Sequence, residues 1–120
     1  MTGTTLRVAV ATTDGTRVDQ HLGRVERFFI FEASPDGASL LAQRCPEPDA
    51  GRPGHDPGRM AEILRQIEDC SVVVALQVGP AFLKELEARG IRVLTSDWKI
   101  SPLLERIGRS YLARRQKSYP

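Results

Sequence analysis

A chain of 120 residues, 41% of them apolar, suits one soluble domain with one core. Its formal net charge of +2 gives no case for nucleic acid, and no run of about 18 apolar residues offers a membrane span. Cys45 and Cys70 form no CxxC pair, and the first five residues carry no apolar signal region, so a cytoplasmic protein with reduced thiols is expected.

Residues 1–5 are small and polar and are expected to be disordered. Leu6, Val8 and Val10 then alternate with Arg7, Ala9 and Ala11. Small residues on one face predict a central strand with helices packed close on it. Thr12-Thr13-Asp14-Gly15 ends that strand in a turn. Phe28-Phe29-Ile30-Phe31 reads as an aromatic second strand, and 39–44 as a third, joined to it through Ser34-Pro35-Asp36-Gly37. So short a connection makes the second and third strands antiparallel.

Pro46, Pro48, Gly51, Pro53, Gly54, Pro57 and Gly58 break up the next stretch into a long irregular loop. Asp56 suits the cap of the following helix and Pro57 its first turn. Met60, Ile63, Leu64 and Ile67 make one apolar stripe. Residues 70–76 form a continuous apolar run, as in a strand buried on both faces. Gly79-Pro80 opens a second helix with Phe82, Leu83 and Leu86 expected to face the core, and Gly90 ends it. Residues 91–94 supply the last strand. Ser101-Pro102 opens a third helix with Leu103, Leu104, Ile107 and Tyr111 on its apolar side.

The order β-β-β-α-β-α-β-α predicts a three-layer α/β domain over 6–113, followed by a basic tail, 114–120. Its five-stranded mixed sheet should run 3-2-1-4-5 with helices on both faces. Ligands of open α/β sheets bind at the carboxyl ends of the strands near the switch point. The loops there are 12–23, 77–80 and 95–99.

The first of these loops holds His21. Neutral imidazole is a common metal ligand, and its second nitrogen needs a partner, for which Asp19 or Gln20 is expected. Gly23 allows close backbone approach. Gly79 marks a helix N-terminus, whose open N–H groups attract anions. Arg24 and Lys99, and further off Arg7 and Arg27, would add positive charge near the strand ends. Cys45 and His55 bracket the long loop and would suit a soft metal, although their spacing matches no zinc signature. Cys70 reads as a packing residue. Asp14, Asp19 and Asp97 are too few acids for a two-metal hydrolase, and no acyl-transfer or nucleotide motif is present. From Arg106 onward Arg109, Arg114, Arg115 and Lys117 meet no acid, which would suit an anionic partner.

Val8-Ala9-Val10-Ala11-Thr12-Thr13-Asp14-Gly15, then Val18-Asp19-Gln20-His21-Leu22-Gly23, then 28–32, resembles the dinitrogenase iron–molybdenum cofactor biosynthesis family. The likeness continues through Ile67-Glu68-Asp69-Cys70, Val78-Gly79-Pro80 and Glu87-Ala88-Arg89-Gly90-Ile91. The resemblance implies a ribonuclease H-like fold. It further implies a non-enzymatic carrier of an iron–sulfur or iron–molybdenum cluster that works with nitrogenase assembly proteins. On that reading His21 is the ligand, with Asp19, Gln20, Gly23, Arg24, Gly79 and Lys99 around the cargo and Cys45 and His55 as further candidate ligands. Leu22 stands where the family element usually has phenylalanine, and Ala75 where many relatives have cysteine. These departures and the proline-rich loop favour a second expectation, an interaction module that has lost the cluster and docks an anionic partner through its basic C-terminus.

Overall fold

The structure, a computed structural model, describes residues 5–46 and 57–117. His55 and Asp56, one expected ligand and the expected helix cap, lie outside the described residues. Five strands, β1 (Leu6–Ala11), β2 (Phe28–Ser34), β3 (Gly37–Arg44), β4 (Val72–Ala75) and β5 (Arg92–Thr95), form one sheet in the order β3-β2-β1-β4-β5. β1 pairs antiparallel with β2 and parallel with β4, and β4 pairs parallel with β5. This is the expected mixed sheet. Three helices, α1 (Pro57–Ile67), α2 (Pro80–Ala88) and α3 (Ile100–Lys117), cover its faces. No helix among the described residues is long and apolar enough to cross a membrane.

The period-2 alternation of β1 divides the core in two. Ala9 and Ala11, with Phe28, Ile30, Val73 and Ala75, pack under α1 and α2 through Ile63, Leu64, Ile67, Phe82 and Leu86. Val8 and Val10, with Val72 and Val74, pack under α3 through Ile100, Leu103, Leu104 and Ile107. Ala9, Ala11 and Ala75 on the first face leave room for two helices, while valines fill the space under the single one. Truncating a fully buried residue such as Ile63 would cost about 2–5 kcal/mol.

Helix ends follow local chemistry. At the end of α2 the Gly90 amide donates to the Glu87 carbonyl at 3.0 Å and the Ile91 amide to Leu86 at 2.9 Å. That pattern needs a left-handed residue, and Gly90 has φ 76°. α3 crosses β2 so closely that a Cβ on Gly108 would lie 2.3 Å from the Ser34 carbonyl oxygen. Only glycine fits there.

Some expectations are corrected. Leu83 is 37% exposed and turns away from the core that holds Phe82 and Leu86. Cys70 and Ser71 precede β4: the Cys70 amide closes the turn after α1 on the Ile67 carbonyl, and the Ser71 amide bonds Arg7. Arg7 is spent at the opposite end of the sheet from the loops, where its guanidinium and that of Arg44 both pair with Asp69, at 2.9 and 2.7 Å.

Candidate functional site

The loop after β1 is held by its own short polar side chains. Thr12 is fully buried; its hydroxyl donates to the Arg17 carbonyl at 2.6 Å and accepts from the Gly15 amide at 3.1 Å. Gly15 adopts φ 85°, and a Cβ there would lie 2.4 Å from the Phe29 ring. Asp19 accepts from the Thr13 amide at 2.8 Å and from its hydroxyl at 3.2 Å. Gln20 donates to the Thr13 hydroxyl and accepts from the Glu26 amide. Thr16, through hydroxyl and amide, holds the Asp14 carboxyl below its ordinary range.

The same loop is stitched to its neighbours through backbone. The Leu22 amide donates to Gln77 and the Leu76 amide to Gln20, both at 2.9 Å, so His21 and Gln77 form a short parallel bridge that prolongs β4. On the other side the Val18 amide donates to the Trp98 carbonyl at 3.0 Å. Val18, Leu22 and Val25 are fully buried, and they anchor the exposed His21 between them. Leu22 opens a single turn of 3₁₀ helix, Leu22–Arg24, just after the histidine.

His21 lines a cleft of about 460 Å³ with Gly23 and Arg24 from its own loop, Met60 from α1, and the 77–82 segment. That size falls in the ordinary range for small-ligand sites. Among the described residues the imidazole makes no side-chain hydrogen bond or ion pair, so both ring nitrogens are open to a ligand. Gly79 caps α2 with no side chain of its own, and a Cβ added there would meet nothing within 4 Å. Pro80 contributes no N–H, so the amides of the following residues supply the positive end of the helix.

The structure therefore gathers His21, Gly23, Arg24 and Gly79 at one cleft. It does not bring Lys99 there: Lys99 pairs with Arg17 in a backbone bridge on the side of the loop that leads into α3. Asp19 and Gln20 brace Thr13 and Glu26 and do not hold the histidine's tautomer. Cys45 is exposed just beyond β3 and does not line the cleft. Burial, with Asp69 alongside, pushes the Cys70 thiol up to about 12, which makes it inert packing.

Three contributors were not anticipated as site residues. Arg59, only 6% exposed, donates from Nη2 to the Val25 carbonyl at 2.6 Å and so pins the first turn of α1 to the histidine loop. Its signal was its position, four residues before Ile63 on the buried side of the stripe. Met60 stood inside that stripe and was indistinguishable from core. Gln77 acts through its carbonyl, for which side-chain identity carries no signal.

The model of the family described as dinitrogenase iron–molybdenum cofactor matches residues 4–110. The chain belongs to this family. The FeMo cofactor biosynthesis protein NifB of Klebsiella pneumoniae is 33% identical over 89 residues, spanning 70% of this chain and 19% of that protein. Protein NifX of Klebsiella pneumoniae is 28% identical over 104 residues, spanning 85% of this chain and 65% of NifX. The chain thus spans about a fifth of NifB and just under two thirds of NifX. The apo form of the orange protein from Desulfovibrio gigas shares the fold, with TM-score 0.58, 18% identity and coverage of 92% and 89% of the two chains.

Members of a cofactor family invite a search for a chelating centre. Among the described residues no three His, Cys, Asp or Glu side chains gather at one point. A bare ion would find too few donors here.

Proposed function

We propose that this protein binds and carries a preassembled, anionic metal–sulfur cluster, an iron–molybdenum cofactor or its iron–sulfur precursor, in nitrogenase cofactor assembly, without turning it over. Family membership and similarity to NifX and NifB support a role in that biosynthesis. The observation that carries the reading is the unpartnered His21 imidazole on a cleft that the start of α2 also lines. One imidazole can occupy an open coordination position of a cluster metal. The α2 N-terminus and the Arg24 guanidinium favour negative charge beside it. A single protein ligand holds the cargo and still permits transfer. The proposed setting is the cytoplasm, with assembly proteins as the donors and acceptors.

Extracted iron–molybdenum cofactor, added anaerobically to the purified protein, should give a bound visible spectrum. His21→Ala should weaken that binding roughly tenfold or more while the protein stays folded. Undiminished binding by the variant would remove His21 from the site. The basic stretch gives a second reading some support: α3 continues to Lys117, so Arg114, Arg115 and Lys117 ride on a helix and not on a trailing coil. If docking there is the main role, Arg114→Glu with Arg115→Glu abolishes partner capture and leaves cluster binding untouched.

A further inference from the structure

Met60 is the one member of the α1 stripe that is not sealed into the core. Ile63, Leu64 and Ile67 are 5% exposed or less, whereas Met60 is half-buried and lines the same cleft as His21. Its neighbour Arg59 ties this turn of α1 to the Val25 carbonyl at 2.6 Å, so the wall bearing Met60 and the loop bearing His21 are held as one frame. Met60 is also the only sulfur on the cleft among the described residues. Cys70 lies under the Asp69 turn with a thiol pushed up to about 12, and Cys45 is exposed elsewhere.

We infer that the Met60 thioether is a second cargo-binding group, a neutral soft donor on the cleft that His21 also lines. The inference rests on the carrier reading and names what that cargo must present: a thiophilic metal within reach of α1 as well as one at the imidazole. Thioethers belong to the soft ligand class that matches sulfur-rich metal centres. Three rotatable bonds let the sulfur adapt to a large irregular guest where a branched side chain would not. Binding requires only that the sulfur lone pair displace a solvent molecule from the metal; no proton or electron moves. Unlike a thiolate, the donor leaves no charge behind when the cargo departs, which suits a protein that must hand its load on.

Met60→Leu removes the sulfur and keeps the volume, a change cores usually tolerate, so its melting temperature should stay close to the parent's. Wild type, Met60→Leu and His21→Ala are each titrated anaerobically with iron–molybdenum cofactor extracted into N-methylformamide. Met60→Leu should bind about tenfold more weakly, equivalent to about 1.4 kcal/mol. Selenomethionine-labelled protein should show a metal neighbour at the selenium absorption edge, absent from labelled Met60→Leu, whose only selenium is at Met1. If His21→Ala loses binding while Met60→Leu keeps wild-type affinity and selenium sees no metal, the methionine assignment falls and the carrier reading stands. If the wild type takes up no cofactor at all, both fall together.

Discussion

The two ends of the sheet treat charge in opposite ways. At one end Arg7 and Arg44 close on Asp69, and Arg44 also donates to the Gln66 carbonyl at 2.7 Å, so these three charged groups are partnered. At the other end His21 and the α2 N-terminus are left open around a cleft. The first arrangement ties β1, β3 and the end of α1 together. The second leaves donors uncommitted, which a fold tolerates only where solvent or a ligand can meet them. Satisfied clusters read as architecture and unsatisfied ones as function, even within one small domain.

Three substitutions put that contrast to the test, in falling order of effect on stability. Arg59→Leu should be the most damaging, at about 1–3 kcal/mol in urea unfolding, because it strands the Val25 carbonyl beneath α1. It should also loosen the histidine loop, seen as faster amide exchange at Leu22 and Val25. Asp69→Asn should cost less, about 0.5–1 kcal/mol, since the carboxylate is 42% exposed and its pairs are screened by water.

The pH dependence of the paired end, around Asp69, has a definite sign. The Arg44 guanidinium, helped by Arg7 and opposed by burial, holds the Asp69 carboxyl well below its ordinary 3.8. The pairing therefore stabilises the fold at every pH above 3.8 and is lost as the pH drops below that value. Acid unfolding of Asp69→Asn should begin from a lower stability but fall less steeply below pH 3.8 than the wild type does. His21→Ala should change stability least, within about 0.5 kcal/mol, because an exposed ring with no partner contributes little to the folded state. A large loss of stability in His21→Ala would erase the distinction between the two ends.

Much of this was legible in the residues. The alternation in 6–11, the short turn between β2 and β3, and the two helical crossovers determine the sheet order with little freedom. The polar stretch from Asp19 to Gly23, one loop beyond a buried strand, marked the cleft. What stayed hidden depends on which layer a loop residue joins. Lys99 and Gly79 both follow parallel strands, yet the chain leaves β5 toward α3 and β4 toward α2, so only Gly79 reaches His21. Asp19 and Gln20 were placed correctly along the chain, but short polar side chains in a tight loop satisfy nearby backbone first, here at Thr13 and Glu26. Met60 shares its helical period with three core residues, and periodicity cannot tell a lid of the core from a wall of a cleft. Leu83 failed for the related reason that α2 is short and buries only a narrow strip.

The backbone staples on either side of His21 carry a consequence of their own. Val18 is fastened to Trp98 in the layer of α3, and Leu22 to Gln77 in the layer of α2. Three residues lie between those rivets, with no spare length. Surface loops commonly accept an added or deleted residue, but here one such event would tear out a fastening on one side or the other. The histidine thus sits in a stretch of exposed chain that resists such editing, and its position is fixed by counting residues rather than by contacts of its own ring.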